Sequence, residues 1–95
     1  MDDLLFSGLR LRGALLPNRI ALSPMCQYSA QDGLPNEWHF RHYVERGIGG
    51  AGLVMLEATA VLSEGRITPY DLGLWNENQE IALTRRGAAI HATEP

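Results

Sequence analysis

Six consecutive residues, Ser23-Pro24-Met25-Cys26-Gln27-Tyr28, put a hydroxyl, a thiol, an amide and a phenol directly after an apolar stretch. Such a set can offer weak or moderate hydrogen bonds to a polar ligand edge, and its thiol can equally be a small apolar filler. On the residues alone both readings stand. Cys26 is the chain's one cysteine, so it forms no internal disulfide and has no second thiol for a metal site. Position is what favours a site: polar groups at the carboxyl end of a strand are where parallel α/β proteins keep their chemistry.

Three other groupings invite chemical readings and are outweighed by structural ones. His39 and His42 stand at i, i+3, a spacing two metal ligands could share, but no well-placed third ligand joins them, so packing or surface roles are expected. Glu57 is a charge inside an apolar strand-like run. It must be paired, with Arg19 the candidate, or reach water near the strand end, and a structural ion pair is the expectation. Gly47-Ile48-Gly49-Gly50-Ala51-Gly52 fits G-x-G-x-x-G, with Asp71 about 20 residues further on. That dinucleotide fingerprint has to leave a strand and open a helix, whereas these glycines leave a helix and enter a strand. They read as a helix stop and tight turn, with Gly47 as the left-handed residue.

The elements that must position these groups follow from periodicity and punctuation. Leu9 and Leu11 alternate with Arg10 and Arg12 before Gly13, which predicts a short hairpin capping one end of a sheet or barrel. Arg19-Ile20-Ala21-Leu22-Ser23-Pro24 and Gly52-Leu53-Val54-Met55-Leu56-Glu57-Ala58 read as strands, apolar on both faces as in a covered parallel sheet. Pro24 ends the first because it has no N–H for the ladder. Each strand runs into a long loop, Met25 to Asn36 and Val61 to Leu74, of the roughly 12–15 residues at which structureless loops are usually functional. Asn36 reads as the N-cap of a helix burying Phe40, Tyr43, Val44 and Ile48. Asn76 with Gln79 opens a second helix, lined on one side by Ile81, Ala82, Ala88 and Ala89 and running to about His91.

The order is therefore hairpin, β, α, β, α, with no repeat or linker, in one domain over residues 1–95. A chain of 95 residues cannot close an eight-fold β/α barrel, which takes about 250. Two strands leave both outer edges unpaired and open to association with other chains. The net charge of -3 argues against nucleic acid as a partner, and all eight basic residues are arginine, from which no function follows. Met1-Asp2-Asp3 is acidic where a secretory signal would be basic, and no apolar run approaches the ~18 residues of a membrane span. A cytosolic protein without a membrane partner is expected.

The blocks Ser23-Pro24-Met25-Cys26-Gln27-Tyr28, Asp32-Gly33, Trp38-His39, His42-Tyr43, Gly49-Gly50-Ala51-Gly52-Leu53, Glu57-Ala58-Thr59-Ala60-Val61 and Gly65-Arg66-Ile67-Thr68-Pro69 together resemble the old yellow enzyme family of NADH:flavin oxidoreductases. The match is to its amino-terminal segment, from about Leu5 to His91. Cysteine rather than threonine at position 26 resembles the bacterial xenobiotic-reductase or thermophilic-like branch. The resemblance implies an α/β fold, an incomplete TIM (β/α)8 barrel made of the hairpin and the first two βα units.

It also implies FMN as cofactor, NAD(P)H as reductant and an activated alkene such as an enone as substrate. In that picture Ser23, Pro24, Met25, Cys26 and Ala60 line the flavin ring, Tyr28 faces the substrate side, and Cys26 tunes the ring without acting as a nucleophile. No catalytic residue falls in this segment. The family's glutamine after strand three, its substrate-carbonyl pair, its proton-donating tyrosine and its phosphate site would lie beyond Pro95. The isolated chain is accordingly expected to be inactive and to hold no stoichiometric FMN. The alternatives are a split product acting only with a complementary fragment or another copy, and a different flavin-dependent TIM-barrel oxidoreductase.

Overall fold

The computed structural model describes residues 4–93. The acidic triplet Met1-Asp2-Asp3 and the closing Glu94-Pro95 lie outside the described residues. Leu9–Leu11 (β1) and Ala14–Leu16 (β2) form the expected antiparallel hairpin, in register Leu9↔Leu16 and Leu11↔Ala14. That register leaves Arg12 and Gly13 to turn the chain, and Arg12 takes the left-handed conformation, at φ 52°. Arg19 donates its backbone N–H to the Leu5 carbonyl, fastening the exit of the hairpin.

Ala21–Leu22 (β3) and Leu53–Val54 (β4) pair in parallel, Ala21 opposite Leu53 and Leu22 opposite Val54. Both strands are shorter than their apolar runs. Pro24 can donate nothing, and past Met55 the chain bends toward Tyr43, whose hydroxyl accepts the Glu57 N–H at 2.9 Å.

Between them Glu37–Ile48 (α1) begins at Asn36, whose side chain accepts the Trp38 N–H at 3.0 Å, while His39 Nδ1 accepts the Asn36 N–H at 3.1 Å. The helix does not stop at Gly47 as the sequence suggests. Gly47 stays helical, and Gly50 supplies the left-handed turn at φ 104°. Gly50 N–H bonds the Gly47 carbonyl and Ala51 N–H bonds that of Arg46, the paired closure of a Schellman motif. The glycine run is thus a helix stop, one turn later than expected.

The loop after β4 is not structureless. Thr59–Ala60 (β5) and Leu72–Gly73 (β6) form a second parallel pair, Thr59 opposite Leu72 and Ala60 opposite Gly73. Between them the Asp71 carboxylate accepts the Ile67 N–H at 2.7 Å and the Thr68 hydroxyl at 2.9 Å, closing a tight turn. Glu77–His91 (α2) follows, with Asn76 and Gln79 forming the expected capping box.

The burial pattern departs from the expected helix faces. Among the described residues the buried apolar side chains are Ala30, Pro35, Tyr43 and Leu72, joined by buried His39, His42, Glu57, Asp71 and Gln79. Phe40 and Ile48 are 40% and 71% exposed, and Ile81 is 45% exposed, so of the α1 face predicted from Phe40, Tyr43, Val44 and Ile48 only Tyr43 is fully buried. Ala88 is exposed as well. Two pairs of two-residue strands offer little sheet for the helices to cover. The molecule measures 50 × 22 × 21 Å. Its accessible surface of 6564 Å² exceeds the roughly 5,400 Å² typical of a monomeric protein of this mass.

Candidate functional site

Glu57 organises the layer at the carboxyl ends of β3 and β4. Its side chain is buried, with Oε1 accepting the Tyr43 hydroxyl at 2.8 Å and Oε2 accepting the Gln27 N–H at 3.1 Å. His39 Nε2 lies 3.7 Å from Oε1. Arg19 is not its partner: that guanidinium bonds the Ser7 hydroxyl and the Gly8 carbonyl. The reason is geometric, since a carboxylate turned into the loop layer meets hydrogen-bond donors there while Arg19 serves the hairpin. A buried carboxylate satisfied by a phenol and an amide N–H avoids the cost of an unpaired charge.

The same environment sets the titration of its neighbours. Burial holds the Tyr43 phenol well above its ordinary 10.0, and the Glu57 carboxylate beside it adds to the effect. Burial lowers His39 below 6.5, partly opposed by Glu57. Burial lowers His42 too, with Arg46 adding to it. Because His39 Nδ1 accepts the Asn36 N–H, the neutral ring carries its proton on Nε2, the atom that faces Glu57. The histidine pair is packed, as expected, but buried rather than at the surface. No group of three or more His, Cys, Asp or Glu among the described residues could hold a metal ion.

Gln79 does for the second loop what Glu57 does for the first. Its Oε1 accepts the Trp75 and Asn76 N–H groups, and its Nε2 donates 3.1 Å to the Asp32 carbonyl, 47 residues away in sequence. Backbone bonds complete the stitch: Ala30 N–H to the Tyr70 carbonyl, Gly73 N–H to that of Gly33, Leu74 N–H to that of Ala60. A side chain at position 73 would collide with the Trp75 ring, so this approach requires glycine. Arg66 lies over the other part of that layer, 5.2 Å from the Trp75 ring centre.

The residues singled out from sequence sit on this scaffold in different ways. Ser23, Pro24 and Met25 face solvent, and the free thiol of Cys26 is half-buried beside them. Gln27 braces the strip: its Nε2 donates to the Met25 carbonyl at 2.8 Å and its Oε1 accepts the Trp38 indole N–H at 2.9 Å. Tyr28 is 51% exposed and held at φ 52°, a left-handed conformation uncommon for a bulky residue. Ala60 is half-buried in β5. Among the described residues no hydrogen bond joins Ala60 directly to Ser23–Cys26, and the link runs through Glu57, three residues before Ala60. The site is a shelf rather than a pocket. A hollow of about 560 Å³ nearby, lined by Val61, Leu74, Trp75, Asn76 and Glu80, contains none of the six residues.

Sequence reasoning missed Tyr43 as the partner of Glu57 and Asp71 as the keystone of the second loop. A charge inside an apolar run was the only signal for the first, and it named a buried charge without naming its partner.

A parallel β-loop-α frame whose polar residues gather at one end of its strands belongs to the α/β class that keeps its chemistry on that end. Residues 4–94 match the model of the NADH:flavin oxidoreductase / NADH oxidase family, and the chain belongs to that family. It is 53% identical over 89 residues, 92% of this chain and 26% of the relative, to a NADPH dehydrogenase of Listeria monocytogenes serotype 4a (strain HCC23). A NADPH dehydrogenase of Halalkalibacterium halodurans is 46% identical over 94 residues, 97% of this chain and 28% of the relative. Among solved structures, morphinone reductase in complex with tetrahydroNAD superposes with a TM-score of 0.88 at 30% identity, over 97% of this chain and 25% of that one. The old yellow enzyme homologue from Zymomonas mobilis gives 0.86 at 32%, over 96% and 25%. The chain thus spans about a quarter of the length of the proteins it resembles.

The family's flavin can be tested against this chain's own donor set. A solvent-facing strip of Ser23, Pro24 and Met25, with a free thiol at its edge and a hydrogen-bonded carboxylate behind it, suits a planar ring with polar edges. Ser23, Pro24, Met25, Cys26, Tyr28 and Ala60 include no cation, so the fit is to the ring and not to a phosphate.

Proposed function

We propose that this chain is the amino-terminal segment of an FMN-dependent NAD(P)H oxidoreductase that reduces activated carbon–carbon double bonds. Its elements correspond in this reading to the hairpin and first two βα units of a TIM barrel. The observation that carries the reading is the family match across residues 4–94, combined with a parallel β3–β4 pair whose carboxyl end carries the Ser23–Cys26 shelf.

When bound, FMN would take hydride from NAD(P)H and pass it to the alkene. The chain's own contribution is to seat and orient the ring. Ser23, Pro24 and Met25 would offer one flat wall, Ala60 would approach from β5, and the Cys26 S–H would donate weakly to the ring's polar edge. Fixed donors at such an edge stabilise negative charge where it develops during reduction. Tyr28, exposed and held in its left-handed turn, would face the substrate side. No residue of this segment moves a proton to the substrate in this scheme. In this reading the chain alone is expected to show no activity and to retain no stoichiometric FMN, since its ring wall carries no phosphate anchor.

Co-expressing the chain with the remaining segment of a family relative tests the reading. Retained flavin absorbance, with NADPH oxidation accelerated by an enone, is the expected result. Flavin retention with no enone dependence would favour a different flavin-dependent oxidoreductase, and failure to assemble or retain flavin would count against the reading.

A further inference from the structure

The hydrogen bonds behind the shelf have a single hub. We propose that Glu57 is a positioning residue of the flavin seat, holding the Met25–Cys26 backbone in place through the Gln27 N–H. The inference rests on the reading that Ser23–Cys26 forms one wall of that seat. Glu57 is 3% exposed and Tyr43 2% exposed, so the carboxylate is fixed from below within the layer of α1. Tyr43 both donates to Oε1 and accepts the Glu57 N–H, which leaves the side chain little freedom to rotate. Oε2 then accepts the Gln27 N–H at 3.1 Å.

Gln27 transmits the constraint because all its polar groups are engaged. Its N–H goes to Glu57, its carbonyl accepts the Ser29 hydroxyl at 2.9 Å, and its side chain bridges the Met25 carbonyl and the Trp38 indole. Cys26 therefore lies between two residues whose backbones are pinned, and Tyr28 follows in a conformation that needs such support. A carboxylate accepts from both donors, whereas a glutamine there could still accept from Gln27 while turning its amide N–H to the Tyr43 oxygen, so releasing the strip takes a side chain with no acceptor at all.

The test compares Glu57→Leu, which has no acceptor for the Gln27 N–H, with Tyr43→Phe in this chain, each checked for folding by circular dichroism. The readout is the limiting rate of Cys26 labelling by an aromatic disulfide at the alkaline plateau of its pH profile, where thiolate fraction no longer matters. Glu57→Leu is expected to raise that rate about tenfold. Tyr43→Phe, which keeps the acceptor for Gln27, should raise it less than about threefold. Equal rates for Glu57→Leu and the unaltered chain, or equal increases in both variants, would overturn the proposal. Should Glu57→Leu fail to fold, the Gln27 amide of the unaltered chain decides. Slow exchange relative to Met25 and Cys26 supports the clamp, and exchange as fast as theirs rejects it. Millimolar FMN perturbing the Met25, Cys26 and Ala60 amides reports separately on the seat, so loss of that signal rejects the seat reading while the labelling rates still judge the clamp.

Discussion

The loop layer at the carboxyl ends of the strands and the outer faces of the helices are built on different principles. In the loop layer, buried Glu57 accepts from donors 14 and 30 residues away, Gln79 donates to the Asp32 carbonyl 47 residues away, and Asp71 closes a turn on the nearby Ile67 and Thr68. On the outer faces Phe40, Ile48 and Ile81 stand in solvent, and the hairpin exposes Leu11 and Leu15. The loops that would be the soft part of many proteins are here the part with specific, self-contained structure, while the regular elements present apolar surface. Exposed apolar side chains of this kind are candidates for contact with other protein. The contrast teaches that in this segment the loop layer is held by hydrogen bonds within itself, while much of the frame's apolar surface is left uncovered.

The contrast can be broken most forcefully at Glu57. Replacing it with alanine leaves the Gln27 N–H and Tyr43 hydroxyl without their acceptor and opens a void, and should cost about 3 kcal/mol in denaturant unfolding. Gly73→Ala drives a methyl into the Trp75 ring and should cost about 2 kcal/mol by the same measurement.

Stability should also fall at both ends of the pH scale. His39 and His42 titrate below 6.5 in the folded chain, so below that pH the unfolded chain takes up protons that the folded one refuses, and stability declines as pH drops. Tyr43 titrates above 10.0 when folded, so above that pH the unfolded chain gives up a proton the folded one keeps, and stability declines as pH rises. A thermal-melt series across pH checks both limbs, and a flat response would contradict the buried cluster. Smallest of all, Ile48→Glu on the exposed face should change stability by no more than about 0.5 kcal/mol, while reducing self-association in sedimentation.

Much of the frame was legible in sequence because it is signalled locally. Pro24 marks the end of a strand, Asn36 and Asn76 open helices, and the Leu/Arg alternation makes a hairpin, each within a few residues. The glycine run was legible as a helix stop, though not which glycine turns left-handed, since Gly47, Gly49 and Gly50 all qualify by type. The helix faces were misjudged because periodicity names an apolar side without saying what covers it, and histidines with a tyrosine fill the buried face of α1 instead. The partners of the site's supports were not legible. Glu57 meets Tyr43 and Gln27 across 14 and 30 residues, and no local rule connects them.

Residue-resolved amide hydrogen exchange on the chain tests the central claim most directly. The account predicts that the Gln27, Ala30, Gly73 and Leu74 amides of the loop layer exchange more slowly than those of Gly52 and Met55 along the β3–β4 pair. Protection concentrated in β3 and β4, with the loop-layer amides exchanging freely, would contradict it.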